Sequence, residues 1–406
     1  MNIDLEYGTA HPLALDVPAG IPVTMHHGPE ALVDPAASLA AALTQPVAGP
    51  PLAAHVVPGD RVVIALAGDL PGGLPTHELV QCAVTEQLVA GGVAPSDVHL
   101  LTAPPLALLG ELPPAGRSVD AATVFNAAMA DETAYLLADD EGTPLHLARP
   151  LVDADVVIAV GGFGYDAALG GRSPDGELWP GFGRYERQQA FTLGLLRKQR
   201  STLETWRELT GQVTFQLGIM ASLRLVRGRG NSLAGISFGL PEATTAAARQ
   251  LARPWRPAAP ASDLTIGGIA TANCDMAAVT RAVAAAARTT RPGGTICIAC
   301  TLSESPGIVF TRWRQAAELV PLIREAAHSG DASLITEGLQ TKLFARALGD
   351  RRLVLLSGLD QDLVEDLDIG HASSPDAIER LMHQADSVTF LHEADHLCPR
   401  RVEGRE

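Results

Sequence analysis

Short apolar runs that alternate with helical stretches constrain the fold of this chain more than any other feature. The clearest run is VVIAV at residues 156–160, which continues into the glycine-rich stretch GGFGYDAALGG at 161–171. Similar runs, each followed by a helical stretch, recur through most of the chain. This alternation is typical of βαβ units, because parallel strands are usually joined by a helix. We therefore predict an α/β protein with largely parallel sheets.

Glycine and proline positions help to place the individual elements. A helix over 76–90 ends at a pair of glycines, as helices often do, and a second helix over 276–289 precedes a turn over 291–294. The predicted strands are 61–67, 98–101, 134–137, 155–160, 213–219, 264–268, 295–300, 352–356 and 387–391.

A proline-rich segment marks the predicted domain boundary. Residues 253–262, RPWRPAAPAS, hold three prolines and show no hydrophobic periodicity, which is typical of a linker. We therefore predict an N-terminal domain over 1–252, a linker over 253–262 and a C-terminal domain over 263–406.

The charge balance and the cysteines limit the functions that the chain can have. Its formal net charge of −16 disfavours nucleic acids and anionic membranes as partners. No run of about 18 apolar residues occurs, and the first residues lack the basic and apolar regions of a signal peptide. Five scattered cysteines, an odd number, do not suggest a disulfide framework. We expect a cytoplasmic protein with reduced thiols.

Several motifs occur along the chain in the same order as in one known family. Tyr7-Gly8 precedes residues 34–66, which contain a P-x-x-x-P-P turn and a P-G-D-x-V-x-I strand. Further matches are Gly142-Thr143-Pro144, Ala154-Asp155 before Val160-Gly161, Ala261-Ser262-Asp263, Pro292-Gly293-Gly294 and Cys300. In these motifs and their order, the chain resembles the nickel-pincer lactate racemases and their relatives.

This resemblance implies two α/β domains of lactate-racemase-like fold with a cleft between them, and racemisation or epimerisation of a 2-hydroxy acid. In the family, a thiolated pyridinium mononucleotide is bonded to a lysine and carries nickel, which a histidine also binds. Two further histidines exchange the α-proton or assist hydride transfer. An arginine orients the substrate carboxylate.

The positions that match the family's catalytic residues hold other residue types. In the loop that begins with Asp69, Gly72 replaces the arginine that orients the substrate, and a glycine has no group that could hold a carboxylate. Residues 102–108 contain no histidine where the first proton-exchanging histidine is expected. Residues 164–172 lack the second, and Ser173 stands where the family bonds its cofactor to a lysine.

Other family positions are also replaced. Gln189 stands where the nickel-binding histidine is expected, and a neutral amide is a poor ligand for a sulfur-rich nickel centre. In the second domain, Arg281 and Ala284 fall at the family's glutamine and lysine, and Thr341 replaces the histidine before Lys342. These replacements predict that the nickel-pincer reaction is lost and that no cofactor is bound.

Three interpretations remain open. The first is a diverged enzyme that acts on or binds a small hydroxy acid or related carboxylate in the interdomain cleft. The second is a non-catalytic paralogue, a ligand sensor or a partner subunit, in which Trp179 and Phe182 of the insert-like segment 173–189 fill the former cofactor space. The third is a true 2-hydroxyacid racemase with substituted residues. A cleft with converging polar groups and perturbed titrations favours the first.

Under the first interpretation, the expected partner is a small-molecule ligand such as a hydroxy acid, with a homo-oligomer or a paralogous subunit as alternatives. The candidate residues for proton transfer are Asp69, Tyr165 and Asp166. The candidate ligand-binding residues are His77, Gly170, Gly171, Arg172, Ser173, Arg184, Gln189, Arg281 and Lys342. Arg172, Arg184 and Lys342 are expected to supply charge that holds an anion. No metal ligands are predicted.

Three short motifs have structural explanations that we favour. Residues 392–396, HEADH, match the zinc-protease pattern H-E-x-x-H, but they follow a predicted strand and only ten residues remain after them, so we predict a solvated turn. Cys297 and Cys300 lie on a predicted strand, whose alternation points their thiols to opposite faces. Residues 161–164, GGFG, lack the further glycine and the lysine of phosphate-binding loops.

Overall fold

The computed structural model describes residues 1–68, 70–104, 106 and 123–402 of the chain. These residues form two six-stranded sheets with helices packed against them, so the predicted α/β class with largely parallel sheets is confirmed. The strands are β1 (Asn2–Leu5), β2 (Leu13–Asp16), β3 (Val23–His26), β4 (Val62–Ala67), β5 (Val98–Thr102), β6 (Thr123–Val124), β7 (Thr133–Ala138), β8 (Pro144–Ala148), β9 (Val156–Phe163), β10 (Tyr165–Asp166), β11 (Gly171–Arg172), β12 (Ser222–Arg227), β13 (Leu233–Gly239), β14 (Ala258–Ala259), β15 (Ser262–Gly268), β16 (Thr290–Ala299), β17 (Arg352–Leu356), β18 (Gly370–His371), β19 (Val388–Leu391) and β20 (Arg400–Arg401). The helices are α1 (Pro35–Thr44), α2 (Leu74–Ala90), α3 (Arg149–Asp153), α4 (Leu178–Gly181), α5 (Tyr185–Gln216), α6 (Pro241–Leu251), α7 (Met276–Thr289), α8 (Ile308–Arg314), α9 (Leu319–His328), α10 (Ala332–Leu348), α11 (Gln361–Asp366) and α12 (Pro375–Met382).

The first sheet has the strand order β13-β12-β9-β4-β5-β6. All neighbouring pairs are parallel except β12 with β13, which are antiparallel. The central strand β4, VVIALA, is buried at all six positions, as expected for a parallel strand covered on both faces. The predictions for β4, β5, β7, β9 and α2 are confirmed within a few residues at each end.

The second sheet has the order β18-β17-β16-β15-β19-β3 and is parallel throughout. Helix α7 packs against it and has the predicted bounds. The helix begins at Met276 because the Asp275 carboxylate accepts a hydrogen bond from the Ala278 backbone N–H at 2.7 Å, which caps the first turn. Strand β17 also has the bounds predicted for it, 352–356.

Two predicted elements are wrong. Residues 213–216 are the last turn of α5 and not a strand, because Leu203, Trp206, Leu209 and Val213 are buried at helical spacing on one face of that long helix. The turn predicted over 291–294 lies within β16, where the pairing with β15 shifts register between Ser262 and Leu264 and leaves these four residues as a bulge.

The structure differs from the predicted domain boundaries at two points. Strand β3, near the N-terminus, pairs with β19 and therefore belongs to the second sheet. The predicted linker is packed into the protein: the Trp255 indole is buried and donates a hydrogen bond to the Arg227 carbonyl at 2.7 Å, and β14 pairs with β20. A buried aromatic ring in this segment ties the two domains together.

The two sheets share one buried layer. A continuous cluster of apolar side chains runs from the first sheet through α4, α5, α7 and α10 to the second sheet. The cleft between the domains lies beside this layer. Among the described residues, no helix is both long and apolar enough to cross a bilayer.

Candidate functional site

A cleft opens where the central strands of both sheets end. The loops that follow β9, β12, β15 and β19 line a cavity of about 790 Å³. All four loops leave the carboxyl ends of parallel strands, which is where open α/β sheets place their ligands. Both sheets therefore contribute residues to one cavity.

Carboxyl side chains outnumber basic ones in the lining of this cleft. Two arginines, Arg227 and Arg281, and one histidine, His396, also line it. The six carboxyl side chains of the lining are Glu6, Asp166, Asp175, Asp275, Glu393 and Asp395. Several of these groups are buried, so their charges act on one another with little screening by water.

Glu393 is the lining group best suited to exchange a proton near neutral pH. Its side chain is buried, and its Oε1 accepts a hydrogen bond from the Gly230 backbone N–H at 3.1 Å. Burial, with the neighbouring carboxyls of Asp395 and Glu6, raises the pKa of Glu393 to about 7, although Arg227 acts in the opposite direction. Both protonation states are therefore populated at pH 7, as general acid–base catalysis requires.

The backbone at Glu393 supports a functional role for this residue. Its φ of 52° lies in the left-handed region, which a residue other than glycine rarely adopts. Three polar lining residues, Glu393, Asp395 and His396, lie in this one tight turn directly after β19. Strain of this kind is common at functional sites.

Asp395 and His396 continue this turn. The Asp395 side chain is 3% exposed, and its Oδ2 lies 3.6 Å from Nε2 of His396. Its Oδ1 is buried and has no hydrogen-bond partner in the described part of the chain. Burial, together with the charges of Arg227 and Arg281, lowers the pKa of His396 to about 4, although the nearby Asp395 acts in the opposite direction. His396 is therefore neutral at pH 7.

The prediction for residues 392–396 is wrong in one respect. They form a turn after a strand, as predicted, but Glu393 and Asp395 are buried in the wall of the cleft and not solvated. The H-E-x-x-H spacing is not on a helix here. Within 1–68, 70–104, 106 and 123–402, no group of three or more His, Cys, Asp or Glu side chains is placed to hold a metal ion.

Arg281, from α7, supplies positive charge to the cleft. No hydrogen bond or ion pair joins its guanidinium to another described residue, although its charge acts on Asp166 and His396. Asp166 is fully buried, and burial raises its pKa. Its carboxylate accepts a hydrogen bond from the Leu169 backbone N–H at 2.9 Å, so Asp166 also holds the shape of the glycine-rich loop.

Two more of the candidate residues line the same cleft. Tyr165 is buried, the Arg256 guanidinium lies 5.6 Å from the centre of its ring, and burial raises the pKa of its hydroxyl. The Ser173 hydroxyl accepts a hydrogen bond from the Asp175 backbone N–H at 3.2 Å. The structure thus brings Tyr165, Asp166, Ser173 and Arg281 together.

Arg172 lies outside the lining of the cleft, in a buried ionic group. It forms an ion pair with Glu177, whose other oxygen accepts a hydrogen bond from Arg224 at 2.6 Å. The Arg172 guanidinium also lies 5.4 Å from the centre of the Phe163 ring. Burial lowers the pKa of Arg172 to about 9. Its charge is therefore compensated within the protein.

Five more of the predicted residues, Arg184, Lys342, His77, Gly170 and Gly171, also lie outside the lining of the cleft. The Arg184 Nε donates to the Thr133 hydroxyl at 3.0 Å, and the Lys342 amine donates to the Leu196 carbonyl. His77 lies in the first turn of α2. Gly170, with a φ of 88°, ends the turn between β10 and β11, and Gly171 is the first residue of β11. Asp69 lies outside the described residues.

A second cavity of about 780 Å³ continues from the cleft between α5 and α10. The two cavities share Leu106, Asp275 and Ala277. Gln189 lines this second cavity, together with the uncharged polar residues Tyr185, Gln188, Thr192, Ser305, Ser333, Thr336 and Gln340. Trp179 and Phe182 line neither cavity, because both are buried in the layer shared by the sheets.

The residues of the cleft do not fit a lysine-bonded cofactor. The whole chain contains two lysines, Lys198 and Lys342. Lys198 is exposed on α5, the Lys342 amine contacts a backbone carbonyl, and neither residue lines the cleft. Ser173 does line it, but a hydroxyl cannot form the amine-derived bond.

Comparison with known proteins shows what this fold is similar to. No protein-family model matches the chain, and no curated protein matches it. The structure of the lactate racemase apoprotein from Thermoanaerobacterium thermosaccharolyticum superposes with a TM-score of 0.73 over 98% of this chain and 100% of that one, at 13% sequence identity. A protein from Thermotoga maritima gives a TM-score of 0.58 over 86% of this chain and 96% of its own, at 12% identity. The chain therefore has a lactate-racemase-like fold.

Proposed function

We propose that this chain is an enzyme that binds a small hydroxy acid or related 2-substituted carboxylate in the cleft and exchanges its α-proton with the protein's own side chains. The observation that carries the proposal is Glu393, a carboxyl with a pKa of about 7 in the wall of an open polar cavity. A strongly perturbed titratable group in a cleft is a typical sign of a catalytic site.

Arg281 is suited to hold the ligand carboxylate. Its guanidinium has no ion-pair partner among the described residues, so it offers a fork of N–H donors to a carboxylate. A bound carboxylate at Arg281 has part of its charge neutralised. Neutralisation makes the adjacent carbon a stronger acid, which lowers the barrier to removal of its proton.

Proton exchange with inversion needs a group on each side of the carbon. Glu393 follows β19 of the second sheet, and Tyr165 follows β9 of the first sheet. Because burial raises the pKa of Tyr165, its hydroxyl stays protonated and can donate. In the proposed reaction, ionised Glu393 takes the α-proton and Tyr165, which follows a strand of the first sheet, returns a proton.

The alternative of a non-catalytic paralogue, serving as a ligand sensor or partner subunit, receives less support. That interpretation expected Trp179 and Phe182 to fill the former cofactor space, but neither side chain lines the cleft. The cavity is open and lined by groups with displaced pKa values. These features favour an enzyme that does not use the nickel-pincer mechanism.

The test is exchange of the α-proton for deuterium in D₂O, followed by NMR, with lactate, glycerate, malate and their 2-amino counterparts. We expect at least one compound to exchange, and Glu393→Gln to lower the rate by about 10²–10⁴-fold, the usual contribution of a general base. Glu186→Gln, which alters an exposed carboxylate at the start of α5, is the matched control and should keep the full rate. Equal rates for Glu393→Gln and the unaltered protein would contradict the assignment.

A further inference from the structure

The charges that line the cleft do not balance for a ligand that carries only a carboxylate. Six carboxyl side chains and two arginines line the cleft. Burial raises the pKa of two of these carboxyls, Asp166 and Glu393, and the other four still outnumber the arginines. Arg227 already lies close enough to Glu393 and His396 to displace their pKa values. A carboxylate bound at Arg281 would add another negative charge to this surplus. A ligand with a positive group beside its carboxylate would not.

Asp395 shows where such a positive group would lie. The side chain is 3% exposed and lines the cavity. Its Oδ1 has no hydrogen-bond partner among the described residues. Its neighbour His396 is neutral and so does not compensate the charge. A buried carboxylate oxygen without a donor destabilises the protein. A donor supplied by a ligand would remove this penalty.

Glu393 lies two residues before Asp395 in the same turn, and it too has neighbouring negative charges that the protein does not fully balance. Asp395 and Glu6 both act on it as like charges, and Arg227 opposes them only in part. A cation held between Glu393 and Asp395 would be attracted by both carboxyls. A hydroxyl group has one proton to donate and no charge, whereas an ammonium has three protons and a full positive charge.

We infer that the ligand is a zwitterion of the 2-amino acid class, whose ammonium binds between Asp395 and Glu393 while its carboxylate binds Arg281. This inference rests on the proposed function, because it uses the same cleft and the same carboxylate position. It differs in naming the 2-substituent as an amino group and in assigning Asp395 as the residue that selects for it.

Isosteric ligand pairs test the inference. Calorimetric titration compares lactate with alanine, glycerate with serine and malate with aspartate, in both enantiomers. We expect at least one amino acid to bind at least tenfold more tightly than its hydroxy counterpart. Tighter binding of the hydroxy acid in every pair that binds would overturn the inference and leave the proposed function intact. If no member of any pair binds, the proposed function fails and the inference fails with it.

Substitution at Asp395 supplies an independent measurement. Asp395→Asn keeps the shape of the side chain but removes its charge, so it should weaken amino acid binding about tenfold or more and leave hydroxy acid binding unchanged. Asp140→Asn, at an exposed turn, is the matched control. An equal loss for both ligand classes would indicate a structural role and overturn the assignment of Asp395.

Proton release on binding gives a readout that does not need a variant. The charged groups acting on Glu393 are Asp395, Glu6 and Arg227. A bound ammonium would stabilise ionised Glu393, so the complex should release up to about half a proton at pH 7. Titrations in two buffers of different ionisation enthalpy measure this release. Proton uptake on amino acid binding would contradict the inference.

Discussion

The glycine-rich loop after β9 and the turn after β19 both follow the carboxyl end of a parallel strand, but their charged groups have different partners. In the first, Arg172 pairs with Glu177, and Asp166 accepts a hydrogen bond from Leu169. In the second, Asp395 has an unpartnered oxygen and Glu393 titrates near neutral pH. Charged residues in a loop therefore indicate a ligand site only where contacts within the protein do not already compensate their charges.

The largest expected effect concerns the buried ionic group of the first loop. Glu177→Ala leaves Arg172 and Arg224 without their shared carboxylate, so it should destabilise the protein by about 3–5 kcal/mol. Urea unfolding measures the change. Glu186→Ala removes an exposed carboxylate at the start of α5 and should change stability by less than about 0.5 kcal/mol. A small effect of Glu177→Ala would mean that the first loop is not held by this group.

The second expected effect is a dependence of folding stability on pH that comes from Glu393. Its pKa is about 7 in the folded protein against an ordinary value of 4.5, so the folded state holds the proton more tightly. Between these two pH values the unfolded carboxyl ionises first, and folding stability falls as pH rises. Compared with Glu393→Gln, the unaltered protein should lose on the order of 3 kcal/mol of stability between pH 4 and pH 8.

Urea unfolding of both proteins at several pH values measures this difference. The Glu186→Gln protein provides the comparison for loss of an exposed carboxyl. If the difference between the unaltered protein and Glu393→Gln is the same at pH 4 and pH 8, the turn after β19 does not hold a destabilised carboxylate, and the contrast between the two loops disappears.

The smallest expected effect is a difference in ligand affinity between two variants that each replace one arginine by methionine. Arg281→Met should weaken binding of lactate or alanine by about 10–100-fold, since a hydrogen bond to a charged group contributes about 1.5–3 kcal/mol. Arg172→Met should leave binding unchanged, because Arg172 is paired within the protein and does not line the cleft. Calorimetric titration of both variants with lactate and alanine measures these affinities. A loss of affinity in Arg172→Met alone would return the ligand site to the first loop.

Local patterns were sufficient for most of the fold. The bounds of α7 and β17 were predicted from periodicity and flanking turns, and the order of motifs predicted a lactate-racemase-like fold. The prediction failed at 213–219, because the start of this apolar run belongs to the last turn of α5, whose buried residues include Trp206, Leu209 and Val213. It did not foresee that β3 joins the second sheet, since the pairing of β3 with β19 spans more than 360 residues of sequence.

The candidate site was predicted less completely. Four of the predicted residues, Tyr165, Asp166, Ser173 and Arg281, line the main cleft. Residues 392–396 were noticed for their H-E-x-x-H spacing, but the predicted solvation of the turn concealed the position of Glu393, Asp395 and His396 in the lining of the cleft. The signal that could have found them is their position directly after a buried strand of a parallel sheet.

The sequence by itself determined the α/β class, the parallel strands and the absence of a lysine from the glycine-rich loop, because these depend on residue identity and short-range spacing. Only the tertiary structure decided which charged groups meet in the cleft. Tyr165, Arg281 and Glu393 are more than 100 residues apart in pairs, and the pKa of Glu393 depends on burial and on Asp395, Glu6 and Arg227. Desolvation and charge proximity arise only when the chain has folded, so no local pattern encodes them.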